Sequence, residues 1–127
     1  MGKLLVIAEK PSVAVDIAHA LGPADKGPDG DFYETKDYVI SFAVGHLVEL
    51  KKPEEYDAKW KAWTLRSLPI SPEEFSRSPR DGKATKRLKV LRKLAKRKDV
   101  EGYVNACDAG REGENIFRSV INWVDVP

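Results

Sequence analysis

Lys3-Leu4-Leu5-Val6-Ile7-Ala8-Glu9-Lys10-Pro11-Ser12 is the stretch on which the fold turns. Residues 3–8 form a short apolar run rich in branched side chains, the pattern of a strand buried on both faces. Glu9-Lys10 interrupts the run, and Pro11 suits the first position of a helix, where its missing N–H costs nothing. Val13, Ala14, Ile17, Ala18 and Leu21 then recur at three- and four-residue spacing, which predicts an amphipathic helix closed by Gly22-Pro23. A buried strand, a charged turn and a helix make the opening unit of an α/β sheet.

Further along, Pro23, Gly27, Pro28 and Gly30 mark a loop over 23–31. Phe32 to Val44 reads as two strands around Thr35-Lys36-Asp37, with Tyr38, Ile40, Phe42 and Val44 alternating onto one face. Residues 51–81 carry Pro53, Pro69, Pro72 and Pro79 with Trp60 and Trp63, an irregular stretch too long to be a bare connection. A helix is predicted from about Gly82 to Lys98, its apolar stripe formed by Ala84, Leu88, Leu91 and Ala95. Gly102 to Cys107 reads as a second buried strand ending at Asp108. A last helix from about Glu112 should turn Ile116, Phe117, Val120 and Trp123 inward. Strands alternating with helices argue an open, mainly parallel α/β sheet with helices on both faces.

The 127 residues are the size of one ordinary domain, and 42% hydrophobic against 33% charged residues is a globular balance. The net charge of +2 is a sum of unlike parts. Arg77 to Lys98 holds eleven Lys/Arg and a single acid, Asp81, so this segment carries +10 and the rest −8. Cys107 is the only cysteine, which excludes an intrachain disulfide and thiolate zinc sites. His19 and His46 form no HExxH pair. The first apolar run stops at Glu9-Lys10, too soon for an export signal, and no run reaches membrane length, so a cytoplasmic setting is expected. GxxxxGK[ST], GxGxxG and GxSxG are all missing, which disfavours an ATPase, a dinucleotide enzyme and a serine hydrolase.

In open α/β sheets, sites form beyond the carboxyl ends of parallel strands. Two predicted strands end there in acids, Glu9 and Asp108, with Glu112 and Glu114 close behind the second. Such a rim suits magnesium, which takes a few carboxylates and keeps several waters, or a carboxyl group that stays protonated and acts as an acid. Glu112 and Glu114 are equally explained as complements to a helix dipole. Arg111 either neutralises these neighbours or meets phosphate. The cations of the 82–98 helix, Lys83, Lys86, Arg87, Lys89, Arg92 and Lys93, fit either a solvated face or a nucleic-acid backbone. Trp60 and Trp63 are expected to pack rather than to stack on bases. His46 is expected to make a structural hydrogen bond, and Cys107 to fill core space.

Leu5-Val6-Ile7-Ala8-Glu9-Lys10-Pro11-Ser12, Val44-Gly45-His46-Leu47-Val48-Glu49-Leu50 and Asn105-Ala106-Cys107-Asp108-Ala109-Gly110-Arg111-Glu112-Gly113-Glu114 together resemble the N-terminal TOPRIM domain of the type IA DNA topoisomerases, in their bacterial topoisomerase III form. Trp60-Lys61-Ala62-Trp63 and Leu68-Pro69-Ile70 fit as well. The similarity runs from Lys3 to about Trp123.

That resemblance implies a Rossmann-like TOPRIM sheet serving an enzyme that cuts one DNA strand with a tyrosine, passes another strand through and reseals. It implies that Glu9 handles the proton at the leaving 3′-oxygen, that Lys10 stabilises charge on the scissile phosphate, and that Arg111 organises the site. Asp108 and Glu112 would hold Mg2+, with Glu9 or Glu114 contributing. The implied partners are single-stranded DNA and the remaining domains of the parent enzyme, in the cytoplasm at the nucleoid. Two departures stand out. Gly110 replaces the middle acid of the family's Asp-x-Asp-x-Glu, and Tyr33, Tyr38, Tyr56 and Tyr103 all lie outside the nucleophile motif. Residues 1–127 are accordingly expected to be one TOPRIM domain excised from a larger enzyme and inactive alone. A free-standing TOPRIM nuclease or primase-like protein, or a non-catalytic DNA-binding module, are the alternatives.

Overall fold

In a computed structural model, which describes residues 2–125, the first apolar run is the central strand of a five-stranded sheet. This strand, β1 (Lys3–Ala8), is followed by α1 (Pro11–Ala20), the short strands β2 (Asp25–Lys26) and β3 (Tyr33–Glu34), and then β4 (Tyr38–Phe42). Next come β5 (Val48–Leu50), the single-turn α2 (Pro53–Tyr56) and β6 (Arg77–Pro79). The chain closes with α3 (Gly82–Ala95), β7 (Val100–Ala106) and α4 (Arg111–Asp125). The sheet order is β2-β3-β4-β1-β7, parallel across β4-β1-β7 and antiparallel at the β2-β3-β4 end.

β1 is buried on both sides because helices cover both. Leu5 and Ile7 join Val39 in a core under α3 and α4, while Val6 and Ala8 join Ile40 and Phe42 under α1. Pro11 opens α1, and its Ala14 and Ala18 are small enough to let the helix lie close on the sheet. The predicted stripe of α3 is buried, with Leu94 added. In α4, Ile116, Phe117, Val120 and Val124 turn inward. Trp123 instead lies at the margin, with the Arg92 guanidinium 4.2 Å above its ring.

Three expectations need correction. β7 is half-buried rather than buried on both faces: among the described residues no strand lies beyond it, and Glu101, Tyr103 and Asn105 are exposed. Val44 does not continue the alternation of β4, because the strand ends at Phe42 and the chain turns at Gly45, whose φ is +61°. Val44 is 49% exposed. Trp63 does not pack but is fully exposed, whereas Trp60 is buried as expected, and the 51–81 stretch around them is anchored, as its length implies. β5 and β6 pair antiparallel, and the Tyr56 hydroxyl both accepts from Ser76 N (2.8 Å) and donates to Ser76 O (3.0 Å).

Charge fastens the amino end of the sheet. Glu34 of β3 accepts from Lys3 Nζ at 2.7 Å and from both terminal nitrogens of Arg97 at 2.6 and 3.1 Å; Arg97 also pairs with Asp99. The Arg97 hydrogen bonds, with help from Lys3 and against partial burial, hold the Glu34 carboxyl down at about 2. A carboxylate depressed in the folded state stabilises fully above its unfolded pKa and loses that contribution as pH falls through the folded one. The cluster is therefore expected to contribute about 2 kcal/mol at neutral pH, fading between about pH 5 and pH 2. Urea unfolding of wild type and Glu34→Gln should differ at pH 6 and converge near the acid limit; a gap independent of pH would refute this account.

Candidate active site

The site follows from strand register. β1 and β7 run parallel with Ala8 opposite Ala106, so the residues just past both strand ends emerge at the same rim. There Glu9 and Asp108 meet, and their carboxyl groups share a hydrogen bond. Two structures hold the rim in place. Gly45 N donates to Glu9 O at 3.3 Å, and Gly110 N donates to Asp108 O at 2.8 Å as the chain turns into α4. Lys10, His46, Arg111 and Glu112 complete an open cleft of about 480 Å³ around the two acids.

The electrostatics favour a retained proton. Partial burial raises the Glu9 pKa, the hydrogen bond to Asp108 raises it further, and the charges of Asp108 and Glu112 add to this; Lys10 opposes them. Cys107, next to the site, is half-buried with its Sγ 3.7 Å from Ile7 O. It packs against the core as expected, and burial and the neighbouring acids push its thiol up to about 11.

The structure brings together Glu9, Lys10, Asp108, Arg111 and Glu112, and it separates others. Glu114 does not line the cleft; its carboxylate accepts from Asn105 Nδ2 of β7 (2.9 Å) and from Arg118 Nε one turn along α4 (2.7 Å). Arg87 is a clear correction to the set of DNA-facing cations. Its guanidinium donates to Phe42 O, to Asp31 Oδ1, to Asp31 O and to Ser41 Oγ, and it lies 3.9 Å over the Phe42 ring. Arg92 is likewise engaged, with Trp123 O at 2.9 Å. Lys83, Lys86, Lys89 and Lys93 stay exposed on the outer face of α3. None of the four tyrosines lines the cleft. His46 is the residue whose role sequence reasoning missed: its hydrogen bond is to Glu112, Nε2 to Oε1 at 3.0 Å, within the site itself.

The donor set suits a hard cation. Asp108 and Glu112 offer carboxylate oxygens, and crowding three acids at one rim is relieved by positive charge. Among the described residues no three His, Cys, Asp or Glu side chains converge into a ready cage. Magnesium tolerates this, because it is held by one or two carboxylates, its waters and substrate phosphates.

The profile of the Toprim domain family matches residues 4–125. The chain belongs to the Toprim family. Its relatives place this Toprim domain more narrowly. It is 43% identical over 126 residues to DNA topoisomerase 3 of Bacillus thuringiensis (strain Al Hakam), covering 99% of this chain and 17% of that protein. DNA topoisomerase 3 of Bacillus cereus (strain ATCC 14579) is 44% identical over 124 residues, and that of Staphylococcus haemolyticus 42% over 122, again at 17% of their lengths. The Toprim domain thus spans about one sixth of the relatives it matches. None of its described helices is long and apolar enough to cross a membrane.

Proposed function

We propose that this Toprim domain is the acid–base and magnesium-holding part of a type IA DNA topoisomerase of the topoisomerase III kind, acting in the cytoplasm on single-stranded DNA at the nucleoid. The observation that supports this best is the meeting of Glu9 and Asp108 at the joined ends of β1 and β7. Glu9 keeps the proton that the departing 3′-oxygen needs. Lys10 and Arg111 stabilise charge on the scissile phosphate. Asp108 and Glu112 would hold the magnesium ion, and His46 orients Glu112 toward it. When bound, that ion would supply positive charge to phosphate oxygens during resealing. The attacking tyrosine comes from the remaining domains of the enzyme, and the exposed lysines of α3 draw in the phosphate backbone.

Magnesium titration followed by amide NMR tests the metal site. Signals around Glu9, Asp108 and Glu112 should move at millimolar Mg2+ while those of Lys89 and Lys93 stay, and Asp108→Asn should abolish the movement. A Cβ at Gly110 meets nothing within 4 Å, so an acid fits there without strain. Gly110→Asp should fold normally and shift the titration to lower Mg2+. Shifts that ignore Asp108→Asn would remove the metal site from this cleft.

A further inference from the structure

Trp63 is fully exposed, at 100%, with Leu65 at 88% beside it. Neither is a floppy tip. Ser67, itself buried, shares its single hydroxyl proton between Ala62 O and Thr64 O, both at 2.7 Å, while Thr64 N donates to Ala62 O and Ser67 N to Thr64 O, which pins the chain on either side of Trp63. Behind them is a groove of about 340 Å³, lined by Trp60, Trp63, Leu65, Leu68 and Ile70. Trp60 is buried there, and its indole N–H has no acceptor among the described residues. A rigidly presented indole beside an apolar groove is a surface built to be covered.

Charge identifies what covers it. From Ala58 to Pro72 there is no acid, and Lys59, Lys61 and Arg66 are all exposed. Lys59 is paired with Asp57 at 3.7 Å, so Lys61 and Arg66 are the cations that flank the exposed ring. A stacking face flanked by cations is the combination that binds unpaired nucleotides, bases on the ring and phosphates on the cations. We propose that Trp63, with Lys61 and Arg66, is a second contact for single-stranded DNA, separate from the catalytic cleft. This rests on the DNA reading above and deepens it. The outer face of α3 offers lysines but no aromatic ring, so it attracts any phosphate backbone. Trp63 selects strands whose bases are unpaired.

Anisotropy of a labelled oligo(dT), with a hairpin duplex in parallel, tests this on the intact chain. Trp63→Ala should weaken oligo(dT) binding about 5- to 100-fold, leave the duplex unaffected, and leave the circular dichroism unchanged. Trp63→Phe should retain most of the affinity. Lys61→Ala and Arg66→Ala should each lower the single-strand salt slope by about 0.7. Wild-type affinity in Trp63→Ala, with loss in Lys89→Ala/Lys93→Ala, would overturn this contact and leave the DNA reading standing. A chain that binds no single strands would overturn both. Self-association that Trp63→Ala removes, with DNA affinity intact, would make the groove a protein interface and likewise overturn the proposal.

Discussion

Gly113→Ala is expected to destabilise the domain by about 3 kcal/mol or more and to scatter the acidic rim. Gly113 lies in the first turn of α4, packed against the loop that delivers Asp108. A Cβ there would fall far inside contact distance of the Asp108 carbonyl oxygen, and 2.9 Å from the Asp108 carbonyl carbon and amide nitrogen. All three are backbone atoms, so no side chain can swing aside. Either α4 lifts from the sheet, exposing Ile116 and Phe117, or Asp108 is driven out of register with Glu9. Gly110→Ala, three residues earlier, meets only open space and is the matched control. Urea midpoints of the two variants should differ widely, and Gly113→Ala should lose its magnesium-dependent shifts. Equal stabilities would show that the loop can yield and that the close approach is dispensable.

Arg87→Ala is expected to cost about 3 kcal/mol, the low end of the range for a buried ion pair because Asp31 keeps 35% of its side chain in solvent. Only 10% of the Arg87 side chain is exposed, and its guanidinium is the joint between α3, the end of β4 and the loop at Asp31. Without it, Asp31 keeps a charge with no partner at that position, and the Phe42 carbonyl loses its donor. For a domain of this size such a loss lowers the thermal midpoint by about 10 °C or more. Lys89→Ala, two positions along on the outer face, should stay within about 0.5 kcal/mol. The contrast matters for DNA experiments, since weak binding by Arg87→Ala would report unfolding rather than a lost phosphate contact. Matching melting curves for Arg87→Ala and Lys89→Ala would disprove the structural role.

Much of this architecture is legible in the chain because its periodicities are strong. Leu5 to Ala8 has no polar residue to offer solvent, and Ala84, Leu88, Leu91 and Ala95 can face only one way. The pairing of Glu9 with Asp108 is also readable, since both follow runs that read as parallel strands, and such strands share a rim. What the sequence hides is long-range. His46 and Glu112 are 66 residues apart, and no spacing rule joins them. The inward turn of Arg87 and Arg92 had a local signal that charge counting overlooks. Arg87 stands three residues after Ala84, and Arg92 four after Leu88, so both flank the apolar stripe, whereas Lys83, Lys86, Lys89 and Lys93 fall outside it. Trp63 gave no such sign. Packing is expected of it as of Trp60, and the structure buries only Trp60 of the two.

The parallel pairing of Ala8 with Ala106 has a consequence for how the site fluctuates. Glu9 lies one residue, and Asp108 two, beyond the hydrogen-bonded ladder of the central strand. Their separation is therefore fixed by the same bonds that hold the sheet together, and not by a loop free to open on its own. Amides at Ile7, Ala8 and Ala106 should exchange with solvent only as fast as the whole sheet unfolds. Acid and metal ligand would then drift apart only when the domain itself comes undone.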